Sequence, residues 1–341
     1  MNKSILYIGP LFEGSTAVHR LTAIKNIFDT VYSINQQIVK NRFLLLFDRL
    51  LNKIIYSTLN EILLNKKVMS ATGKIPTDII WIDKGLQMKP ATIKILKNKF
   101  PYIKIIHYSP DDMFNPNNQT NNYLNCIPLY DLHVTTKSYN VDELNNYGAK
   151  KVLFVNNAYA PEIHKPYVLN IREKDKYSSD VSFIGSTEKE RAESINWLAK
   201  NGIYITVWGK GWEKYLTNNP NIVIKSGWFP DEEYCKIICA TKINIAFLRK
   251  VNRDLQTTRT MEIPACGGFM LAERTDEHME LFKEDEEAAF FSDNEELKRK
   301  IVYYLENENE RKVIALGALK RCKDSGYDNI TMVKKVFKCL I

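Results

Sequence analysis

Several things are scarce or missing in this sequence. Its 341 residues include six cysteines (Cys126, Cys235, Cys239, Cys266, Cys322 and Cys339) but no CxxC pair. Cys235 and Cys239 are four apart and would share one helix face, yet no histidine follows at zinc-ligand spacing. This excludes a zinc ribbon and a disulfide scaffold, and it fits free thiols in a reducing cytoplasm. No apolar run approaches the ~18 residues that a membrane span needs. The N-terminal MNKSILYIGP reads as a short strand, too short for a signal-peptide core. Zinc-finger, helix-turn-helix and RNP signatures are absent, so no nucleic-acid partner is expected.

What is present is a globular composition. Hydrophobic residues make up 45% and charged residues 26%, enough to bury a sizeable core. At roughly 150 residues per domain the length favours two domains. The +8 net charge is unevenly placed: residues 1–100 carry 15 Lys and Arg against 6 Asp and Glu. Part of that excess lies in Val39–Lys67, with Lys40, Arg42, Arg49, Lys53, Lys66 and Lys67 against Asp48 and Glu61. The run reads either as buried crossover helices or as a basic apolar face that touches anionic membrane. The expected location is cytoplasmic, with the inner face of the membrane as the place of any peripheral contact.

Short apolar runs alternate with longer helical periods. ILYIGP, VYSIN, DIIWID, IKIIHYS, YDLHVTT and KVLFVNN read as buried strands. A proline-bearing stretch, APEIHKPYVLNIREKDKYSSD, reads as a linker. The alternation then restarts with DVSFIGS, IYITVWG, NIVIKSG, INIAFL, FMLAE and AAFF. Strand–helix alternation twice over predicts an α/β fold of two Rossmann-like parallel-sheet domains, with ligands at the carboxyl ends of the strands.

The loops after the strands are therefore where chemistry is sought. Gly9 and Gly14 in IGPLFEG are too far apart for a GxGxxG fingerprint. They suit either a tight turn or a close approach to phosphate or sugar. HYSPDDMF offers His107, Asp111 and Asp112; one carboxylate at most should face a ligand, as base or sugar-hydroxyl acceptor, with an N-cap as the alternative role. FIGSTEKER brings Gly185, Ser186 and Arg191 to a helix start, a place suited to phosphate or to an ordinary cap. VWGKGW adds Gly209, Lys210 and Trp212. RKVNRDLQTTRTMEIPACGG is the richest stretch, with Arg249, Lys250, Arg253, Asp254, Thr257, Thr258, Arg259 and Glu262 ahead of a Gly-Gly turn. Four cations beside two threonines at a helix start point to a pyrophosphate site, with a solvated basic loop as the alternative. Cys266 as a nucleophile is the weaker thought, since cysteine is commonly buried.

TTRTMEIPACGGFMLAE, continued by ERTDEHMELF and AAFFSDNEELKRKIVYYLENENERKVIALGALKR, resembles the C-terminal half of the CgeB-like, spore-maturation-type glycosyltransferases. HYSPDD and YDLHVTTKSYNVDELNNYGAKKVLFVNNAY are similar to the same group, with Asn156-Asn157 at the closing turn. The resemblance runs from about Asp78 to Arg321 and extends to the GT-B class 4 families. It implies two domains facing across a cleft: 1–165 for the acceptor, with Gly9, Gly14, His107 and Asn157 on that side, and 166–325 for the donor. A last helix within 326–341 would cross back to the first domain. It also implies an E-x7-E pattern, written here as Asp254-x7-Glu262, with Glu262 gripping the ribose hydroxyls and the Gly-Gly turn letting the next strand pass beneath the nucleotide. Ser186 stands where arginine is common in the class, leaving Arg191, Arg253 and Arg259 as substitutes.

The activity so implied is transfer of a sugar from a UDP-, GDP- or dTDP-linked donor to a glycan, lipid-linked or protein acceptor. It would proceed without a metal or other cofactor and with retention. Asp111, Asp112 and Asp254 are the catalytic candidates. Gly185, Ser186, Arg191, Gly209, Lys210, Arg253, Thr257, Thr258, Arg259 and Glu262 are the donor-binding ones. A nucleotide-sugar epimerase on the same fold, or a non-catalytic sugar-binding or coat protein, is the alternative.

Overall fold

The computed structural model describes residues 3–39, 58–216 and 218–340. Lys40, Arg42, Asp48, Arg49 and Lys53 of the basic run lie outside the described residues. By its contacts the chain divides into two units, Met1–Asn156 with Ile330–Ile341, and Asn157–Asn329.

The first unit holds β1 (Ser4–Gly9), β2 (Thr30–Asn35), β3 (Ile79–Asp83), β4 (Lys104–Ser109), β5 (Leu132–Thr135) and β6 (Val152–Phe154), in the spatial order β2-β1-β3-β4-β5-β6. All neighbours pair in parallel, with Ile5 opposite Ile79 and Ile80 opposite Ile105. A parallel sheet covered on both faces has no solvent side, so its strands are apolar throughout rather than alternating. IIWID shows this, with all five residues buried. Leu6, Ile80, Ile82, Ile93, Leu96 and Ile105 form one core layer, each contributing about 1.5–3 kcal/mol by leaving water. The last helix, Asn329–Leu340, supplies Phe337, whose ring packs on Phe28 at 4.5 Å and Trp81 at 5.9 Å.

The second unit holds β7 (Ser179–Ile184), β8 (Ile205–Trp208), β9 (Ile222–Lys225), β10 (Thr241–Ala246), β11 (Met270–Glu273) and β12 (Ala289–Phe291), in the order β12-β11-β10-β7-β8-β9. The order reverses between β7 and β10. At that switch point the following connections diverge to opposite faces and leave a crevice at the carboxyl ends. The corresponding reversal in the first unit falls between β1 and β3.

The stretch read as a linker is built into the second unit. Ile171–Tyr177 is a helix opened by a capping box, in which Asn170 and Glu173 exchange side-chain-to-backbone bonds. Ile163, Tyr167 and Leu169 pack on the core. An apolar residue every few positions outweighed the two prolines, which sit ahead of the helix.

Candidate functional site

The second unit's switch point is crowded with backbone. Gly185, after β7, has φ +155°, and Gly209, after β8, has φ +148°. A Cβ on Gly209 would collide with the Gly185 carbonyl, and one on Gly185 would lie 2.9 Å from the Arg259 guanidinium. The buried indole of Trp212 donates to the same Gly185 carbonyl at 3.1 Å. Glycine at both positions therefore lets the β7 loop, the β8 loop and the start of the Thr258–Ala265 helix close on one another. Lys210 stands exposed on the β8 loop.

Two guanidinium groups share the face region of one ring: Arg191 and Arg259 each lie 5.3 Å from the Phe183 centroid. Their circumstances differ. Arg191 is buried, and its three nitrogens donate to the carbonyls of Leu248, Ser186 and Phe247 at 3.0–3.3 Å. Burial, and then the charge of Arg259, pull its pKa down to about 10. Arg191 thus ties the β7 and β10 loops together. Arg259 has a buried Nε with no hydrogen-bond partner. Of the other cations in this stretch, Arg249 pairs with Glu188 at 2.7 Å and Lys250 pairs with Glu273. Arg253 is exposed, in the left-handed backbone region at φ +46°. Asp254 is buried, accepts from Asn252 at 2.6 Å, and is close enough to act on the Arg191 charge.

The Thr258–Ala265 helix is fixed at its start by a relay. The Thr257 N–H donates to Thr260 Oγ1 at 3.0 Å, and Thr260 Oγ1 lies 2.9 Å from His278 Nε2. His278 Nδ1 lies 2.6 Å from the Glu273 carbonyl, which only accepts, so Nδ1 carries the proton and Nε2 accepts from Thr260. Burial lowers the His278 pKa to about 4 and keeps the ring neutral. Thr258, half-buried, begins the helix.

One turn further on, Glu262 is 6% exposed. Tyr234 donates to its Oε2 at 2.7 Å, and His164 Nε2 stands 3.7 Å from Oε1. The Ala160 N–H donates to His164 Nδ1 at 2.9 Å, so a neutral His164 turns its proton toward Glu262. Tyr234 is held far above the usual phenol range, by burial first and by Glu262 second. The Gly-Gly turn serves packing: Gly267, φ +74°, ends the helix left-handed, and a Cβ on Gly268 would meet Ile238 at 2.7 Å and Asn244 at 3.0 Å. The glycines seat β11 against the Asp231–Ala240 helix, a packing role that the expectation of a path beneath a nucleotide did not include.

Asn157 is also placed differently from expectation. It belongs to the second unit, where its N–H donates to Gln256 Oε1 at 2.9 Å, just ahead of the Thr258–Ala265 helix.

In the first unit, Gly9 ends β1 against Tyr7 and Asp83, which a Cβ would meet at 2.8 and 3.1 Å. Gly14, φ +70°, turns the chain into Ser15, the cap of the next helix. His107 does not reach the surface. It is 1% exposed, stacks on Tyr130 at 5.3 Å and donates from Nε2 to the Lys84 carbonyl at 3.1 Å. Burial lowers its pKa to about 4. The two adjacent carboxylates diverge. Asp112 is 1% exposed and accepts from the Phe114 N–H and the Asn140 amide at 3.1 and 3.0 Å, so it staples its loop. Asp111 retains some exposure and pairs with Lys84 at 2.6 Å.

Sequence reasoning passed over Lys84, in the left-handed region at φ +67°, and the group beneath it. There Arg20 makes a two-pronged pair with Asp83 at 2.6 and 3.1 Å, and Tyr7 donates to the same carboxylate at 2.7 Å. The DKG triplet after a buried strand was the available signal. His164, Tyr234 and His278 carried none, being single residues far from their partners in sequence.

Two six-stranded parallel Rossmann-like sheets with these switch points define the GT-B fold of glycosyltransferases. Residues 191–336 match the family described as glycosyl transferase-like. Among solved structures the chain is similar to Anabaena HepE in complex with UDP and glucose, at 13% identity and TM-score 0.68 with 99% of each chain covered. It is similar to sucrose-phosphate synthase from Thermosynechococcus elongatus, at 10% identity and TM-score 0.68 with 99% of each covered. It is also similar to a glycosyltransferase from Rickettsia africae, at 16% identity and TM-score 0.64 with 100% and 98% covered. No curated protein sequence matches. No helix among the described residues is long and apolar enough to cross a membrane.

Proposed function

We propose that this chain is a glycosyltransferase of the CgeB-like kind, which moves a hexosyl group from a nucleotide-diphosphate sugar to a glycan, lipid-linked or protein acceptor. The observation that carries this is Arg259. Its guanidinium lies against Gly185 at the switch point, with a buried, unpartnered Nε, at the start of a helix whose positive dipole end favours an anion. That is a diphosphate's environment. Glu262, one turn along the helix, takes the ribose hydroxyls, with Tyr234 and His164 fixing the carboxylate. Asp254 faces the donor sugar. HepE bound to UDP-glucose makes UDP the first nucleotide to test.

In the reaction, the bond from the anomeric carbon to the diphosphate breaks as the acceptor oxygen attacks. Negative charge grows on the departing diphosphate, and Arg259 with the helix N-terminus stabilises it there more than in the ground state. The chain's own cations do this without a metal ion, and the sugar keeps its anomeric configuration. Asp111, in the first unit, serves the acceptor hydroxyl as hydrogen-bond acceptor or base.

The deciding experiment is calorimetric titration of UDP, GDP and dTDP into the wild-type chain and Arg259→Ala, followed by product analysis with the sugar form of the nucleotide that binds. Binding that Arg259→Ala weakens supports the donor site. No binding of any of the three removes it. Product formed without an acceptor would indicate an epimerase.

A further inference from the structure

Three of the six cysteines meet in one place in the second unit. Cys235 and Cys239, four apart on the Asp231–Ala240 helix, face Cys266, the residue that caps the Thr258–Ala265 helix. Cys239 Sγ lies 3.3 Å from the Cys266 carbonyl and accepts from the Tyr167 N–H at 3.4 Å. Cys235 Sγ lies 3.5 Å from the Ile163 carbonyl. Cys235 and Cys266 are buried, while Cys239 is partly exposed. The cluster is no metal centre: among the described residues no group of three His, Cys, Asp or Glu is arranged to hold an ion. An accessible thiol backed by a buried second thiol is instead the arrangement of a thiol that is oxidised first and resolved by its neighbour.

We propose that Cys239 and Cys266 are a site of reversible covalent modification, at which a hydroperoxide oxidises Cys239 and Cys266 closes a disulfide. The neighbouring Cys266 side chain first, and the Tyr167 N–H that donates to its sulfur, pull Cys239 below the usual thiol range against the opposing effect of burial. Cys266 is held well above that range, by the neighbouring Cys235 and Cys239 side chains first and then by burial. The order of attack follows. Cys239 loses its proton and its sulfur attacks the peroxide, breaking the O–O bond. The sulfur becomes a sulfenic acid, and the departing alkoxide takes up the proton as an alcohol, or as water from hydrogen peroxide. Cys266 sulfur then attacks the sulfenic sulfur and expels hydroxide, which leaves as water with the Cys266 proton. Two thiols have given two electrons, and the peroxide has taken them.

The disulfide would link the helix that bears Tyr234 to the end of the helix that bears Glu262. The Tyr234–Glu262 bond already joins the same two helices about one turn away, so the new bond would reinforce an existing contact. The chemistry does not depend on what the second unit binds.

The test treats the full-length chain with hydrogen peroxide and maps its peptides by mass spectrometry without reduction. The expected product has lost two hydrogens and joins the Cys239 and Cys266 peptides, and dithiothreitol reverses it. Cys339, partly exposed in the first unit, serves as the internal control and should react at least tenfold more slowly than Cys239. Cys266→Ala should stop at a sulfenic acid on Cys239 that dimedone captures, with Cys266→Ser as the second variant should the first fold poorly. Cys239→Ser should give neither product. Reaction of Cys239 no faster than Cys339, or a Cys235–Cys239 disulfide in place of the expected one, overturns the proposal.

Discussion

Tyr234 and Glu262, 28 residues apart in sequence, share a 2.7 Å hydrogen bond inside the second unit. The bond orients a carboxylate that would otherwise rotate among its staggered positions. A charged hydrogen bond of this kind is worth about 1.5–3 kcal/mol. Glu262→Gln should therefore weaken nucleotide binding by roughly ten- to hundredfold, for mono- and diphosphates alike, because both carry the ribose. Tyr234→Phe should weaken both by less and should also lower unfolding stability by about 1–3 kcal/mol, the cost of a buried carboxylate oxygen short of a donor. Calorimetric titration beside urea unfolding separates the two effects. A Glu262→Gln variant that melts earlier but binds normally would show a purely structural carboxylate.

Arg191 and Arg259 flank one phenylalanine ring yet should answer mutation differently. Arg259→Ala should reduce diphosphate affinity more than monophosphate affinity, and the loss should shrink as salt rises. Arg191→Ala strands three loop carbonyls, each without its donor. It should cost about 3 kcal/mol or more of stability. Denaturant midpoints and nucleotide titrations of the two variants make the comparison.

The two adjacent aspartates should also separate. Asp111→Asn should lower turnover while leaving nucleotide affinity intact, since its carboxylate pairs with Lys84 in the first unit. Asp112→Ala removes the acceptor of the Phe114 N–H and the Asn140 amide, and it should destabilise by about 1–3 kcal/mol. Steady-state kinetics on Asp111→Asn and thermal unfolding of Asp112→Ala check this pair. Lost nucleotide binding in Asp111→Asn would place that residue on the donor side.

Acid should destabilise the chain before its carboxylates titrate. Burial lowers His107 and His278 to about 4 and His133 to about 3. All three fold neutral, whereas the unfolded chain takes up their protons near the ordinary value of 6.5. Their stability contribution is complete above pH 6.5 and falls as pH drops toward 4. Three protons correspond to a slope approaching about 4 kcal/mol per pH unit in that window. Two of the rings, His107 and His133, lie in the first unit, which should lose stability to acid faster on their account. Unfolding midpoints from pH 7 to 4.5 measure the slope, and a flat profile would show that these rings are not held neutral.

Much of the architecture was legible because parallel strands buried on both faces must be apolar runs, and IIWID, DVSFI and INIA are such runs. The glycines at 185 and 209 were legible as loop glycines, although the collision each avoids was not. The hidden part consists of side chains meeting across long separations: Tyr234 with Glu262, Thr260 with His278, Arg20 with Asp83. No periodicity encodes these pairs, since each belongs to two elements whose proximity only the folded sheet decides. His107 misled for a related reason. Its position after a strand suggested a ligand-facing ring, but the pleat turned it inward onto Tyr130. The helix at Ile171–Tyr177 was within reach, as Asn170 and Glu173 spell a capping box that the neighbouring prolines obscured.

Lys84 sits in a backbone region that costs a non-glycine residue about 1–3 kcal/mol, while the Tyr108 carbonyl and the His107 ring hold its N–H and its carbonyl in place. Glycine would take that conformation without the penalty. A library selected only for thermal endurance should thus drift toward Lys84→Gly, surrendering the cation that meets Asp111, whereas one selected for turnover should keep lysine. If Asp111 serves the acceptor as proposed, durability and activity pull the sequence in opposite directions at this position, and the side chain that survives records which of them was rewarded.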